Sequence, residues 1–165
     1  MSASAFSVGS KKRHTQMSPG ISGLVREIPV VKGEHVTAGQ VLLRVDDSEY
    51  RHHETLAERS LDAARAAANE ACLAADQAQR GRARAEALNQ QGLASEEALE
   101  EARTRAEGTQ AACVAARERA KEAESALAVA RATLAKTAIV APFDGVVLDI
   151  TTEVGEWISP SPPGV

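Results

Sequence analysis

Asn89-Gln90-Gln91-Gly92-Leu93-Ala94-Ser95 is the one interruption in a stretch, from about Tyr50 to Thr137, that carries alanine at every turn and has neither proline nor an aromatic side chain after Tyr50. Gly92 can take the left-handed conformation that ends a helix, and Arg80, Arg82 and Arg84 lie in or near the negative end of the helix before it. Ser95, followed by Glu96 and Glu97, suits the start of the next helix. The stretch therefore predicts a long antiparallel helical hairpin over residues 50–137 with its tip at 89–95.

Outward from the tip, alternating steps of three and four residues trace one face of each arm. On the first arm the series is Ala57, Leu61, Ala64, Ala68, Ala71, Ala75, Ala78, Arg82, Ala85, and only Arg82 departs from small or apolar character. On the second it is Leu99, Ala102, Ala106, Thr109, Cys113, Ala116, Ala120, Ala123, Leu127, Ala130, Leu134. A seven-residue repeat kept this long underwinds each helix and predicts a left-handed coiled coil. Alanine lets the backbones approach but buries little area per residue, so stability per turn is modest. Arms of about forty residues at ~1.5 Å each give a rod of roughly 60 Å.

On either side of the hairpin the texture changes to short β-branched runs punctuated by glycine, the pattern of short strands and tight turns. The two flanks are one motif written twice. Advancing the first by 122 positions places Gly23 on Gly145, Leu24 on Val146, Ile28 on Ile150, Gly33-Glu34 on Gly155-Glu156 and Val36 on Ile158, while Pro19 and Pro142 align with a one-residue gap. Two half-motifs of this kind, neither able to bury its own apolar face, complete one small β-sandwich between them. The first half continues through Gly39-Gln40 into a further strand, Val41 to Val45, whereas the second runs into Ser159-Pro160-Ser161-Pro162-Pro163-Gly164-Val165. The matching strand is missing: another segment supplies it, or a sheet edge lies open. The organisation predicted is a flexible lead-in at 1–16, a first half-domain at 17–49, the hairpin at 50–137, and a second half-domain at 138–165, incomplete at its C-terminal end.

Composition narrows the classes. With Phe6, Tyr50, Phe143 and Trp157 as the only aromatic residues among 165, and none within the arms, a large globular core is excluded. A net charge of −4 with the bases dispersed among acids gives no footprint for nucleic acid. No run of about twenty apolar residues and no charged-then-apolar leader is present, so the chain as given is expected neither to span a membrane nor to encode its own export signal.

The flanks, with Gly33-Glu34-x-Val36-x-x-Gly39-Gln40 and Ala141-Pro142-x-Asp144-Gly145-Val146-Val147, resemble the split lipoyl-like (barrel-sandwich hybrid) domain. With a long hairpin between the halves, the chain resembles, over about residues 15 to 160, the HlyD-like periplasmic adaptor subunits, or membrane fusion proteins, of tripartite efflux pumps and type I secretion systems. The resemblance implies an α+β fold, a coiled-coil hairpin inserted between two halves of a lipoyl-like β domain. It also implies a noncatalytic connector, periplasmic and inner-membrane associated in its full-length form. Such a connector joins an inner-membrane transporter (RND, ABC or MFS type) to a TolC-like outer-membrane channel and self-associates into a ring. In that family the tip motif is Arg, three residues, Leu, six residues, Ser; here Arg84, Leu88 and Ser95 match it and are implied to dock on the channel. With Leu61 at position a, Arg84 falls at c and Leu88 at g, both off the seam. The plain alternative is that Arg84 and Leu88 are ordinary helix formers and Ser95 an N-cap. The family's anchor, β-barrel and membrane-proximal domains are not seen, so the chain reads as a fragment. The rival readings are a coiled-coil scaffold and a biotin or lipoate carrier; the hairpin replaces the turn where a carrier holds its lysine, and Lys32 lies elsewhere, so no cofactor is expected.

Cys72 and Cys113 are the only cysteines, and their midpoint, 92.5, coincides with the turn, which sets them at nearly the same height on facing arms. Cys113 is in the seam and Cys72 one position from it. Two small residues standing in for alanine is the favoured reading; a disulfide is the alternative if the Cα atoms come within about 7 Å in an oxidising compartment. His52 and His53 are adjacent rather than four apart and point about 100° away from each other, which suits solvated helix residues rather than a metal site. Asp46, Asp47 and Glu49 read as an acidic turn into the first helix. No catalytic constellation is found.

Overall fold

The computed structural model describes residues 6–10 and 13–160. The chain divides into two units: one comprises the residues up to Glu54 together with those from Val129 onward, the other Thr55–Ala128.

Among the described residues the first unit holds eight strands: β1 (Phe6–Ser10), β2 (Arg13–Met17), β3 (Gly23–Glu27), β4 (His35–Val36), β5 (Val41–Val45), β6 (Ala138–Val140), β7 (Gly145–Ile150) and β8 (Trp157–Ile158). They form two four-stranded sheets, ordered β2-β1-β7-β4 and β6-β5-β3-β8, with antiparallel pairing throughout. Between them lies an apolar core in which Phe6, Val8, Val25, Leu42, Leu43 and Val147 are fully buried. Strand alternation produces this: in β3 Gly23 and the Val25 side chain are buried while Leu24 and Arg26 are exposed.

The repeat seen in the chain is a pseudo-twofold in the fold. Val36 pairs with Gly145 and His35 with Val146; in the other sheet Ile158 pairs with Gly23 and Trp157 with Leu24, the same contacts displaced by 122 residues in both partners. Gly33 N–H donates to Val147 O at 2.8 Å and Gly155 N–H to Val25 O at 2.9 Å. Each turn is tied by its own glutamate: Glu34 Oε2 accepts from Val31 N–H at 2.8 Å, and Glu156 Oε2 from Glu153 N–H at 3.0 Å. The two halves exchange their short strands, so neither can close without the other. The glycines at 23 and 145 are required by close approach. A Cβ on Gly23 would collide with Val45 Cγ1, and one on Gly145 would lie 2.8 Å from the Gly9 carbonyl oxygen.

The lead-in at 1–16 needs correction over its described part. Phe6–Ser10 and Arg13–Met17 form the hairpin β1–β2, and β1 pairs antiparallel with β7 on the side away from β4. That is the place β5 takes beside β3, so this edge of β7 is covered from the N-terminal side, and β2 stands where β6 stands in the other sheet. The physical reason is burial: Phe6 and Val8 alternate with Ser7 and Gly9, and both enter the core.

Helices α1 (Ser48–Gln90) and α2 (Glu96–Ala135) each run through both units. Asp46 prepares the start of α1, its Oδ1 accepting from the Ser48 N–H at 3.0 Å and hydroxyl at 2.6 Å, and the Tyr50 hydroxyl donates to Ser22 O at 3.1 Å. The two Ser48 bonds, the hydroxyl first, hold the Asp46 carboxyl below its ordinary range. Within Thr55–Ala128 the arms meet along the alanine seam. Leu61, Ala68 and Ala75 of α1 are buried seven residues apart, as are Leu99, Ala106 and Cys113 of α2, with Ala116 and Leu127 completing the stripe. Arg65 and Glu124 tie the arms across the seam's edge at 3.1 Å.

Cys72 and Cys113 are joined by a disulfide with Cα atoms 4.6 Å apart. The favoured reading of two unbonded residues is therefore corrected: alanine neighbours bring the two backbones close enough for their sulfurs to bond.

Candidate functional site

The hairpin tip is built by a Schellman turn followed directly by an N-cap. Leu93 N–H donates to Leu88 O at 2.9 Å and Gly92 N–H to Asn89 O at 2.9 Å, with Gly92 at φ +73°. In this motif the residue after the glycine and the residue five before it are commonly an apolar pair, and here both are leucine. Asn89 closes the loop, its side-chain amide donating to Ala94 O at 3.1 Å. Ser95 Oγ then accepts from Ala98 N–H at 3.2 Å, which caps α2, and Glu96 and Glu97 occupy its first turn.

The three residues matched to the tip motif thus have different situations. Ser95 is engaged as a cap. Leu88 is 44% exposed and Arg84 is exposed. The guanidinium of Arg84 lies back along the helix, within 4.0 Å of where a Cβ on Gly81 would stand. Leu93, which the motif passes over, is 71% exposed, the most open leucine of the described residues. Its signal was available, since the residue following a C′ glycine is the usual apolar partner of the helix's last turn. Arg82, the one departure from the seam, is half-buried and borders a groove between the arms whose floor is Ala78, Gly81 and Ala102.

Electrostatics separates the tip's cations. Arg103 is engaged by Glu100 at 2.6 Å and Glu86 at 3.7 Å, and the Glu100 carboxylate raises its already high pKa. Arg80, Arg84 and Arg105 have no ion pair among the described residues. The tip therefore presents two exposed leucines, with the guanidinium groups of Arg80, Arg84 and Arg105 unpaired among the described residues. His52 and His53 are exposed, His53 lying 3.6 Å from Glu49, and no His, Cys, Asp or Glu cluster suited to a metal occurs among the described residues.

Residues 13–163 match the family described as RND MFP, barrel-sandwich hybrid domain. The chain belongs to this family of membrane fusion proteins. Among curated relatives, the multidrug resistance protein MdtN of Escherichia coli O6:H1 is 28% identical over 183 aligned positions, covering 88% of this chain and 53% of MdtN. The chain spans about half the length of the curated relatives it matches. Among solved structures, MacA from Actinobacillus actinomycetemcomitans superposes with a TM-score of 0.79 at 24% identity, covering 84% of this chain and 43% of MacA. The periplasmic adaptor protein EmrA superposes with a TM-score of 0.56 at 16% identity, covering 97% of this chain and 72% of EmrA. At these identities the structural likenesses speak for the fold: a helical hairpin set in a barrel-sandwich β domain. Among the described residues of this membrane fusion protein no helix is long and apolar enough to cross a membrane.

Proposed function

We propose that this chain is the hairpin and lipoyl-like portion of a periplasmic efflux adaptor, and that its tip docks on a TolC-like outer-membrane channel. The observation that carries the docking is the pairing of Leu88 and Leu93, 44% and 71% exposed, on a turn locked by Gly92, Asn89 and Ser95. Apolar side chains held this open on a rigid turn cost little further entropy when a partner covers them. The uncommitted guanidinium of Arg84 is available to carboxylates at the channel's rim. In this role the full-length protein is inner-membrane associated, meets a transporter there, and forms a ring with its own copies. Substrates pass through the assembly unconverted, and the mechanism is positioning and sealing.

The test is Leu88→Glu, alone and with Leu93→Glu, in the full-length adaptor. Neither leucine lies in the seam, so the helical signal should persist. Channel binding should fall by about tenfold or more, as for loss of an interface anchor, and efflux with it. Unchanged binding and efflux would exclude the tip as the docking site and favour a scaffold role for the hairpin.

A further inference from the structure

The disulfide between Cys72 and Cys113 joins two sulfurs in unlike surroundings. Cys113 is in the alanine seam and 3% exposed. Cys72, one step round its helix, is half-buried and borders a groove of about 390 Å³ whose rim carries Arg65, Arg117 and Lys121. Arg65 is paired with Glu124 and Lys121 with Glu118 at 2.7 Å, whereas Arg117 has no ion pair among the described residues. Access and cationic surroundings together are what make one cysteine of a pair the reactive one.

We propose that Cys72 is a thiol–disulfide exchange site, the entry point for a dithiol–disulfide oxidant that installs this bond, with Cys113 as the resolving thiol. In the first step the Cys72 thiolate, bordering the same groove as Arg117, attacks one sulfur of the oxidant's disulfide. The oxidant's S–S bond breaks, a mixed disulfide forms at Cys72, and the oxidant's other sulfur leaves as a thiolate. In the second step the Cys113 thiol gives up its proton and attacks the Cys72 sulfur, forming the cross-arm bond and expelling the oxidant's second thiolate. Two electrons pass from the two cysteines to the oxidant, whose thiolates take up the two protons. The same asymmetry protects the product. A reductant reaching the accessible Cys72 sulfur must expel the Cys113 thiolate into an alanine seam that offers it no solvation, and the Cys113 sulfur is closed to direct attack. The staple thus forms readily and reverts slowly.

The experiment uses the full chain, reduced, with oxidised glutathione as the probe. Cys113→Ala and Cys72→Ala variants each leave one thiol, and alanine is the commonest residue in the seam. Mass spectrometry should find the Cys113→Ala chain captured at Cys72 at least about tenfold faster than the Cys72→Ala chain is captured at Cys113. Equal rates, or faster capture at Cys113, would overturn the proposal. Should either variant lose its helical circular dichroism, peptide mapping of the partly oxidised wild-type chain replaces it: glutathione on the Cys72 peptide supports the assignment, and on the Cys113 peptide refutes it. In the Cys113→Ala background, R117Q with K121Q should slow capture severalfold at neutral pH and move its pH profile upward, and an unchanged profile would remove the cations from the mechanism.

Discussion

The β unit and the hairpin unit reach order by opposite means. In the β unit, Phe6, Val8, Leu42, Leu43 and Val147 are wholly out of water, and two half-motifs interlock by exchanging short strands. In the hairpin unit half of the buried stripe is alanine, alongside Leu61, Leu99 and Leu127, and a covalent bond crosses it. The first region is stabilised by side-chain area, the second by helix propensity and by a constraint on the unfolded chain. A seam of alanine allows the backbones to come close, and that closeness is what permits the bond.

The largest expected effect tests that difference directly. Replacing Cys72 and Cys113 together by alanine removes a link across a separation of 41 residues. The chain-entropy account puts the loss at up to about 4 kcal/mol. The loss should fall on the hairpin: amide exchange across Thr55–Ala128 should accelerate, while the core strands β3, β5 and β7 stay protected. Equal protection of the hairpin with and without the bond would show that the alanine seam suffices.

Next in size are single substitutions chosen to reverse the emphasis. Leu42→Ala empties a fully buried site between the sheets and should cost about 3 kcal/mol by the usual sum of transfer and cavity terms. Ala75→Gly in the seam removes one methyl and helix propensity and should cost about 1 kcal/mol. Urea titration followed at separate β and helical probes would measure both. Comparable costs would mean that the seam packs more tightly than its composition implies.

The hairpin was legible because its signals are local and mutually consistent: period, Gly92, Ser95, and a seam whose members the structure leaves buried or half-buried. The 122-residue repeat likewise revealed two interlocking halves. What escaped was β1–β2. Phe6 and Val8 alternate as a strand should, but Arg13–Met17 is polar, and a short strand beside a Ser-rich start has no pattern to separate it from a tail. The missing partner for β7 announced that a strand was needed without saying which segment supplied it. At the tip, the family motif drew attention to Ser95, whose hydroxyl is used within the fold, and away from Leu93. For the cysteines, the midpoint of the pair gave their common height, but sequence spacing says nothing about how closely two arms approach.

The smallest effect probes where the pseudo-twofold breaks. Glu34 and Glu156 tie equivalent turns, but Glu156 Oε2 also accepts from the Thr152 hydroxyl at 2.8 Å, where the first half has Val30 at the equivalent place. That hydroxyl first, and the Glu153 N–H second, hold the Glu156 carboxyl below its ordinary 4.5. A carboxyl whose pKa is lower folded than unfolded binds fewer protons in the native state, so its contribution is present above pH 4.5 and disappears as pH falls through the lowered value. Glu156→Ala should therefore lower the melting temperature of the β unit more than Glu34→Ala at pH 7, leaving the Thr152 hydroxyl without its acceptor. The gap should narrow as the pH falls below 4.5 and the wild-type carboxyl takes up its proton. A gap independent of pH would mean that the two turns differ through packing around Thr152 and Val30, and that the charge at Glu156 is incidental.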